Sequence, residues 1–157
     1  MKKMIVVTKN YEETIKLGKK IAKCLSVGAV LALNGALGSG KTTFTKGLVE
    51  GLFKNSDVKV KSPSSAIVNQ YDGSFTVFHI DCYRLEGEID LTEIGIDEFM
   101  FSEGITVIEW AERMQALLPA DVINIDISYE EEESGRKFEF FSDNKSFMKI
   151  LRSRFNA

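Results

Sequence analysis

Apolar residues recur along the chain with two different spacings, which separate predicted strands from predicted helices. Short apolar or alternating runs predict strands over 4–8, 29–34, 58–61, 66–71, 76–83, 105–110, 122–129 and 137–141. A first helix is expected from Asn10 to about residue 26, because Asn10 and Glu13 resemble a capping box. Further helices are predicted after residue 40, over 90–100, before Pro119 and at the C-terminus, where Phe147, Leu151 and Phe155 share one face.

The order of these elements predicts an α/β fold. The run 29–34 is almost wholly apolar and is bounded by Gly28 and Gly35, as expected for a strand buried on both faces of a parallel sheet. Alternating helices and strands around it indicate a sandwich with a mixed, largely parallel central sheet, and residues 72–74 predict an antiparallel hairpin. No internal repeat or Pro/Ser-rich linker divides the 157 residues, so a single domain over 1–157 is expected.

Residues 35–42 match the phosphate-loop consensus G-x-x-x-x-G-K-[ST] at every fixed position. Glycines let backbone N–H groups surround an anion, and the following helix adds the positive end of its dipole. Lys41 is predicted to bridge the β- and γ-phosphates of a nucleoside triphosphate, and the Thr42 hydroxyl to bind Mg²⁺. The predicted nucleotide-binding residues are Gly35, Leu37, Gly38, Ser39, Gly40, Lys41, Thr42 and Thr43, with Tyr11 as a candidate for stacking on the base.

A phosphate loop also needs an acidic residue at the end of a neighbouring strand, to hold the cation or its waters and to orient the attacking water. Asp81 and Glu109 each end a short apolar run and are the two candidates. Alternation places His79 on the same strand face as Asp81. Asp126 is interpreted instead as part of a solvated strand face.

Two features of the sequence narrow the choice of nucleotide and of reaction. The strings that come nearest to the guanine-specific N-K-x-D signature, at Asn69 and Asn144, do not fit it, so ATP is favoured. A small-molecule kinase would need several arginines near the transferred phosphoryl group. Of five arginines, Arg84 and Arg113 lie near the predicted catalytic strands. A kinase, or a nucleotide-switched binding module without hydrolysis, remains an alternative to an ATPase.

Charge is divided unevenly along the chain. Residues 1–61 carry a balance of +8 and residues 62–157 a balance of −11, which gives the net −3. This total argues against a protein that wraps nucleic acid by bulk electrostatics, so DNA is not an expected partner. The longest uncharged stretch, 24–40, contains four glycines and Asn34 and is no membrane span, so a membrane is not an expected partner either. The acid-rich region 72–133 is expected to face a basic partner protein. Cys24 and Cys82 form no paired motif, and a reduced, cytoplasmic protein is the expectation.

Several segments together resemble the TsaE (YjeE) family of ATPases that assist bacterial tRNA threonylcarbamoyladenosine synthesis. They are the phosphate loop, the 62–64 Ser-Pro-Ser segment, the 79–85 segment His-Ile-Asp-Cys-Tyr-Arg-Leu, the acidic 91–99 segment, and the 108–113 segment Ile-Glu-Trp-Ala-Glu-Arg. The resemblance covers residues from about 30 to 115 in the expected order. Two departures are Ser64, where Thr is common, and Cys82, where Leu is common, and neither puts ATP binding in doubt.

The resemblance implies a three-layer P-loop NTPase fold and a weak ATPase. It also implies that this ATPase acts with TsaD and TsaB homologues on adenosine 37 of tRNAs reading ANN codons, with tRNA reached indirectly through that complex. Thr42 and Glu109 are implied as Mg²⁺ ligands, and Asp81 as the acid needed for hydrolysis. Catalysis is therefore assigned to Lys41, Asp81 and Glu109, with ATP and Mg²⁺ as cofactors.

A second group of residues is assigned to switching or partner coupling. Ser62, Pro63 and Ser64 resemble a switch loop, and Trp110 is implied to lie close to the active site. The residues themselves leave alternatives open. His79 is either part of the site or a structural histidine whose hydrogen bonds are satisfied. Arg84 is predicted either to neutralise phosphate charge or to pair with the acidic helix. Trp110 either contributes to the site or packs in the core. Tyr11 stacks on adenine or packs near the helix cap.

Overall fold

The computed structural model describes residues 3–53, 68–73, 75–83, 95, 103–130 and 134–155. The strands are β1 (Met4–Thr8), β2 (Val30–Asn34), β3 (Val68–Asp72), β4 (Thr76–Asp81), β5 (Ile105–Glu109), β6 (Ile123–Tyr129) and β7 (Arg136–Phe141). The helices are α1 (Tyr11–Ala22), α2 (Lys41–Leu52) and α3 (Lys145–Phe155), with a 3₁₀ helix at Ala111–Leu117. The predicted strand 58–61 and the predicted helix 90–100 lie outside the described residues.

The first helix begins as its sequence predicts but ends earlier. Asn10 accepts a hydrogen bond from the backbone N–H of Glu13 at 2.9 Å, and the Glu13 carboxylate accepts one from the N–H of Lys9 at 2.9 Å. The first contact satisfies an N–H group that a helix start leaves unpaired, and the second ties the residue before the cap to the first turn. The helix ends at Ala22 instead of continuing to about residue 26, because the next N–H groups bond three residues back instead of four. Those of Lys23, Cys24 and Leu25 donate to the carbonyls of Lys20, Ile21 and Ala22.

Seven strands form one sheet in the order β1-β7-β6-β2-β5-β4-β3. The central strands β6, β2, β5 and β4 run parallel, whereas β1 and β7, β7 and β6, and β3 and β4 pair antiparallel. The predicted α/β fold with a mixed sheet is therefore confirmed, and so is the predicted antiparallel hairpin, since β3 pairs antiparallel with β4. The strands β2 and β5 are buried on both faces, as their nearly apolar runs predict, whereas β6 alternates buried and partly exposed residues.

The sheet is covered on both faces, which gives the three predicted layers. On one face, α1, α2 and α3 pack onto the alternate strand positions through residues such as Ile21, Phe44 and Leu151. On the other face, Ala111 and Met114 of the 3₁₀ helix join a smaller cluster of strand residues.

The helices α1 and α2 approach each other closely. A Cβ atom at Gly47 would lie 2.2 Å from the carbonyl oxygen of Ile15 on α1, so only glycine fits at this crossing. This packing fixes the position of α2, whose first residue is Lys41. Gly47 thus lets the helix that follows the phosphate loop pack closely against α1.

Candidate functional site

The carboxyl ends of β2, β5 and β4 lie side by side at one edge of the sheet. In the parallel register Leu33 pairs with Glu109, and Glu109 in turn pairs with Asp81. The loop 35–40 leaves β2 at this edge and enters α2. Ligand sites in open α/β sheets form in such crevices outside the carboxyl ends of the strands.

The loop has the backbone shape that its glycines predict. Gly38 and Gly40 adopt φ values of +78° and +114°, which favour glycine over residues with a Cβ. The N–H of Ser39 donates to the carbonyl of Ala36 at 3.0 Å. The hydroxyl of Ser39 is buried and has no hydrogen-bond partner in the described part of the chain. The predicted loop residues thus form one continuous turn ahead of α2.

Lys41 is buried beneath this loop. Its ammonium group donates hydrogen bonds to the carbonyl oxygens of Gly35 and, at 3.0 Å, Ala36. The same nitrogen lies 4.0 Å from the ring centroid of Trp110, a cation–π contact. Burial lowers the pKa of Lys41, and the nearby carboxylates, Glu109 first among them, oppose that change. A poorly solvated cation therefore lies directly at the loop.

Glu109 joins two of the other predicted residues. One carboxylate oxygen accepts a hydrogen bond from the Thr42 hydroxyl at 3.1 Å, and the other pairs with Nε2 of His79. Both Glu109 and His79 are buried. His79 therefore contacts the candidate site through Glu109, while its Nδ1 has no partner among the described residues.

Asp81 lies on the adjacent strand at the level of Glu109. It is half-buried, and its Oδ1 accepts a hydrogen bond from the N–H of Tyr83 at 2.9 Å. Burial raises the pKa of the Asp81 carboxyl; the Tyr83 N–H opposes the rise, and the charge of Glu109 adds to it. A carboxylate with a raised pKa is a better proton acceptor than an ordinary aspartate.

Trp110 has an unusual backbone. Its φ of 58° and ψ of 41° place a bulky residue in the left-handed region, a conformation that costs free energy and often occurs at functional sites. The ring packs 4.8 Å from the ring of Tyr83 and faces Lys41. It also packs against the smaller core cluster. Trp110 therefore contacts both the site, through Lys41, and the core.

Tyr11 lies at the start of α1 and is exposed. Its hydroxyl bonds with the ammonium group of Lys46 on α2 at 3.1 Å. This contact connects Tyr11 to the helix that follows the loop. Stacking on a base stays a prediction.

Asp126 lies on the partly exposed face of β6, as the alternation along the strand predicts, and it also has a partner there. It is half-buried and accepts a hydrogen bond from the side-chain amide of Asn34 at 3.1 Å. The reason is the strand order, since β6 pairs directly with β2 and sets Asp126 opposite the residue that precedes the loop.

Sequence reasoning also missed Tyr129 and Arg136, which contact the loop from the β6–β7 hairpin. No local motif marks them, and only the pairing of β6 with β2 brings them to the loop. The predicted switch residues Ser62, Pro63 and Ser64, together with Arg84, lie outside the described residues.

Neither a metal-binding cluster nor a membrane-spanning helix is found among the described residues. No group of three or more His, Cys, Asp or Glu side chains is arranged to hold a metal ion. Within the same residues, no helix has the length and apolar character needed to cross a bilayer.

The parallel central strands, the loop between β2 and α2, and the acids at the neighbouring strand ends define a protein of the P-loop NTPase class. Residues 8–138 match the family model described as "Threonylcarbamoyl adenosine biosynthesis protein TsaE". The chain belongs to the TsaE family.

Curated relatives and a solved structure agree with this assignment. The TsaE protein of Bacillus subtilis is 40% identical over 128 residues, which cover 81% of this chain and 78% of that protein. That of Treponema pallidum is 36% identical, with 79% and 90% covered. The crystal structure of Bacillus subtilis YdiB superposes with a TM-score of 0.79 at 30% identity, covering 99% of this chain and 95% of YdiB.

Proposed function

We propose that this chain binds ATP with Mg²⁺ and hydrolyses it slowly, in support of tRNA threonylcarbamoyladenosine formation. One observation carries the proposal: Lys41, Thr42, Glu109 and Asp81 converge where the phosphate loop meets the ends of β5 and β4. These are the residue types that phosphoryl transfer from a nucleoside triphosphate requires.

Each side chain has a distinct role in the proposed reaction. Lys41 would bind the β- and γ-phosphates in place of the loop carbonyls that it now contacts. Asp81 would orient the attacking water and accept its proton, a role that its raised pKa favours. His79 would orient Glu109 by holding one of its carboxylate oxygens.

The donor atoms fit a magnesium ion. The Thr42 hydroxyl and the Glu109 carboxylate offer two oxygens 3.1 Å apart, beside the phosphate loop. Mg²⁺ in nucleotide sites commonly takes one or two protein oxygens together with phosphate oxygens and water. When bound, the ion would neutralise negative charge on the phosphate oxygens.

The family membership supports the biological assignment. The matched family model and the curated relatives carry names that place them in threonylcarbamoyladenosine biosynthesis. We extend that role to this chain: a cytoplasmic protein that acts with TsaD and TsaB homologues on position 37 of tRNAs reading ANN codons. Contact with tRNA would be indirect, through that complex.

Phosphate release from ATP and Mg²⁺, measured without any added acceptor, tests the proposed chemistry. Slow release that disappears in Asp81→Ala is expected, because Asp81 activates the water. Strict dependence on a small-molecule acceptor would replace the ATPase with a kinase. No hydrolysis even with the TsaD and TsaB homologues present would leave a nucleotide-switched binding module.

A further inference from the structure

The outer side of the phosphate loop is held by two side chains from the β6–β7 hairpin. The Tyr129 hydroxyl donates a hydrogen bond to the carbonyl oxygen of Leu37 at 2.8 Å. The guanidinium of Arg136 donates from Nη2 to the carbonyl oxygen of Gly38 at 3.2 Å. Two successive carbonyls at the tip of the loop are thus bound from the same direction.

The hairpin presents these side chains as a pair. Tyr129 and Arg136 are directly opposite each other in the antiparallel register of β6 and β7. The guanidinium carbon lies 4.5 Å from the Tyr129 ring centroid, and Nη1 of Arg136 donates to the carbonyl of Gly135 at 2.8 Å. Because each donor is fixed by the other and by the hairpin, the pair is preorganised to bind the loop.

The loop lies directly against this pair. A Cβ atom at Gly38 would approach the Tyr129 hydroxyl to 2.9 Å, closer than side-chain contacts allow. Glycine at position 38 therefore leaves room for the Tyr129 hydroxyl in its observed place and tolerates the positive φ. The glycine at this position, which the phosphate-loop consensus leaves variable, serves both purposes.

The bond from Tyr129 also determines where one N–H group of the loop points. The described residues contain no cis peptide, and in a planar trans peptide the C=O and N–H point in opposite directions. When Tyr129 binds the carbonyl of Leu37, the N–H of Gly38 is directed away from the hairpin. An N–H directed in this way is available to an anion, whereas the N–H of Ser39, in the peptide that Arg136 binds, donates to the carbonyl of Ala36 at 3.0 Å.

We infer that Tyr129 and Arg136 are positioning residues, which hold loop 35–40 in the shape that receives a triphosphate. The inference rests on the proposed function, because it concerns how the same site binds ATP. Neither residue needs to touch the reacting atoms. Loss of either contact is expected to weaken ATP binding, since the free loop would have to be ordered on binding.

Equilibrium binding of ATP to the full chain tests the inference. Tyr129→Phe, which removes only the hydroxyl, is expected to weaken binding roughly fivefold, and Arg136→Ala roughly tenfold. The double variant should lose less than the product of the two, because both contacts order one loop. In hydrolysis assays the KM should rise while kcat at saturating ATP stays nearly unchanged.

Two further variants separate positioning from simple charge. Lys137→Ala removes a positive charge from the neighbouring position on β7, where Lys137 pairs with Glu139 at 3.4 Å, and should leave binding unchanged. Arg136→Lys keeps the charge but lacks the planar fork, so it should lose most of what Arg136→Ala loses. Equal weakening by Arg136→Ala and Lys137→Ala would overturn the inference.

Amide hydrogen exchange in the nucleotide-free protein separates this inference from the proposed function. Exchange across residues 35–40 should be faster in Tyr129→Phe and Arg136→Ala than in the wild type or Lys137→Ala. Unchanged exchange together with unchanged ATP affinity would show that the pair does not hold the loop. If the wild type bound no ATP, the proposed function would fail, and the exchange comparison alone would decide whether the pair orders the loop.

Discussion

Replacing Lys41 with alanine is expected to lower the rate of ATP hydrolysis at least about a hundredfold, the usual cost of removing one fixed group that stabilises transition-state charge. Lys41 is the buried cation at the loop, and its ammonium already lies among carbonyl oxygens that a phosphate would replace. The measurement is phosphate release at saturating ATP and Mg²⁺, in the wild type and the variant.

Two comparisons make this result specific. Lys41→Met keeps the apolar stem and should be as inactive as Lys41→Ala, because only the ammonium group binds phosphate. Lys149→Ala removes an exposed lysine from α3 and should hydrolyse ATP like the wild type. Activity in Lys41→Met within a fewfold of wild type would contradict the role given to Lys41.

Replacing Glu109 with glutamine is expected to raise the Mg²⁺ concentration needed for half-maximal hydrolysis by at least about tenfold. Glutamine has nearly the same shape but lacks the charge that attracts a cation, and it can still bond with Thr42 and His79. Thr42→Val, which removes the other oxygen, should act in the same direction. A magnesium titration at fixed ATP gives both values.

The control for this titration is Glu139→Gln, which removes a carboxylate from β7, where Glu139 pairs with Lys137. Its magnesium dependence should equal that of the wild type. If Glu109→Gln and Thr42→Val kept the wild-type magnesium dependence while losing activity, the two residues would act in another way than by binding the cation.

The parts of the site that follow from local sequence could be predicted. The loop between β2 and α2 is a contiguous motif, and the start of α1 follows from Asn10 and Glu13 alone. Asp81 and Glu109 could be selected because each ends an apolar strand, whatever the neighbouring strands are. These predictions needed no knowledge of strand order.

The remaining contacts depend on strand order, which periodicity does not determine. His79 meets Glu109 only because β4 pairs with β5, and Asp126 meets Asn34 only because β6 pairs with β2. The same pairing brings Tyr129 to the loop. The left-handed backbone of Trp110 has no sequence signal, since a tryptophan is not expected there.

Multiple-turnover formation of threonylcarbamoyladenosine tests the central claim most directly. The assay would combine TsaD and TsaB homologues, tRNA, the threonylcarbamoyl donor and ATP, with this chain or with its Lys41→Ala variant. We expect product to exceed one equivalent per TsaD–TsaB complex with the wild-type chain, and to stop near one equivalent with Lys41→Ala. Equal product with the wild type, with the variant and without this chain would contradict the claim that ATP hydrolysis here sustains the modification.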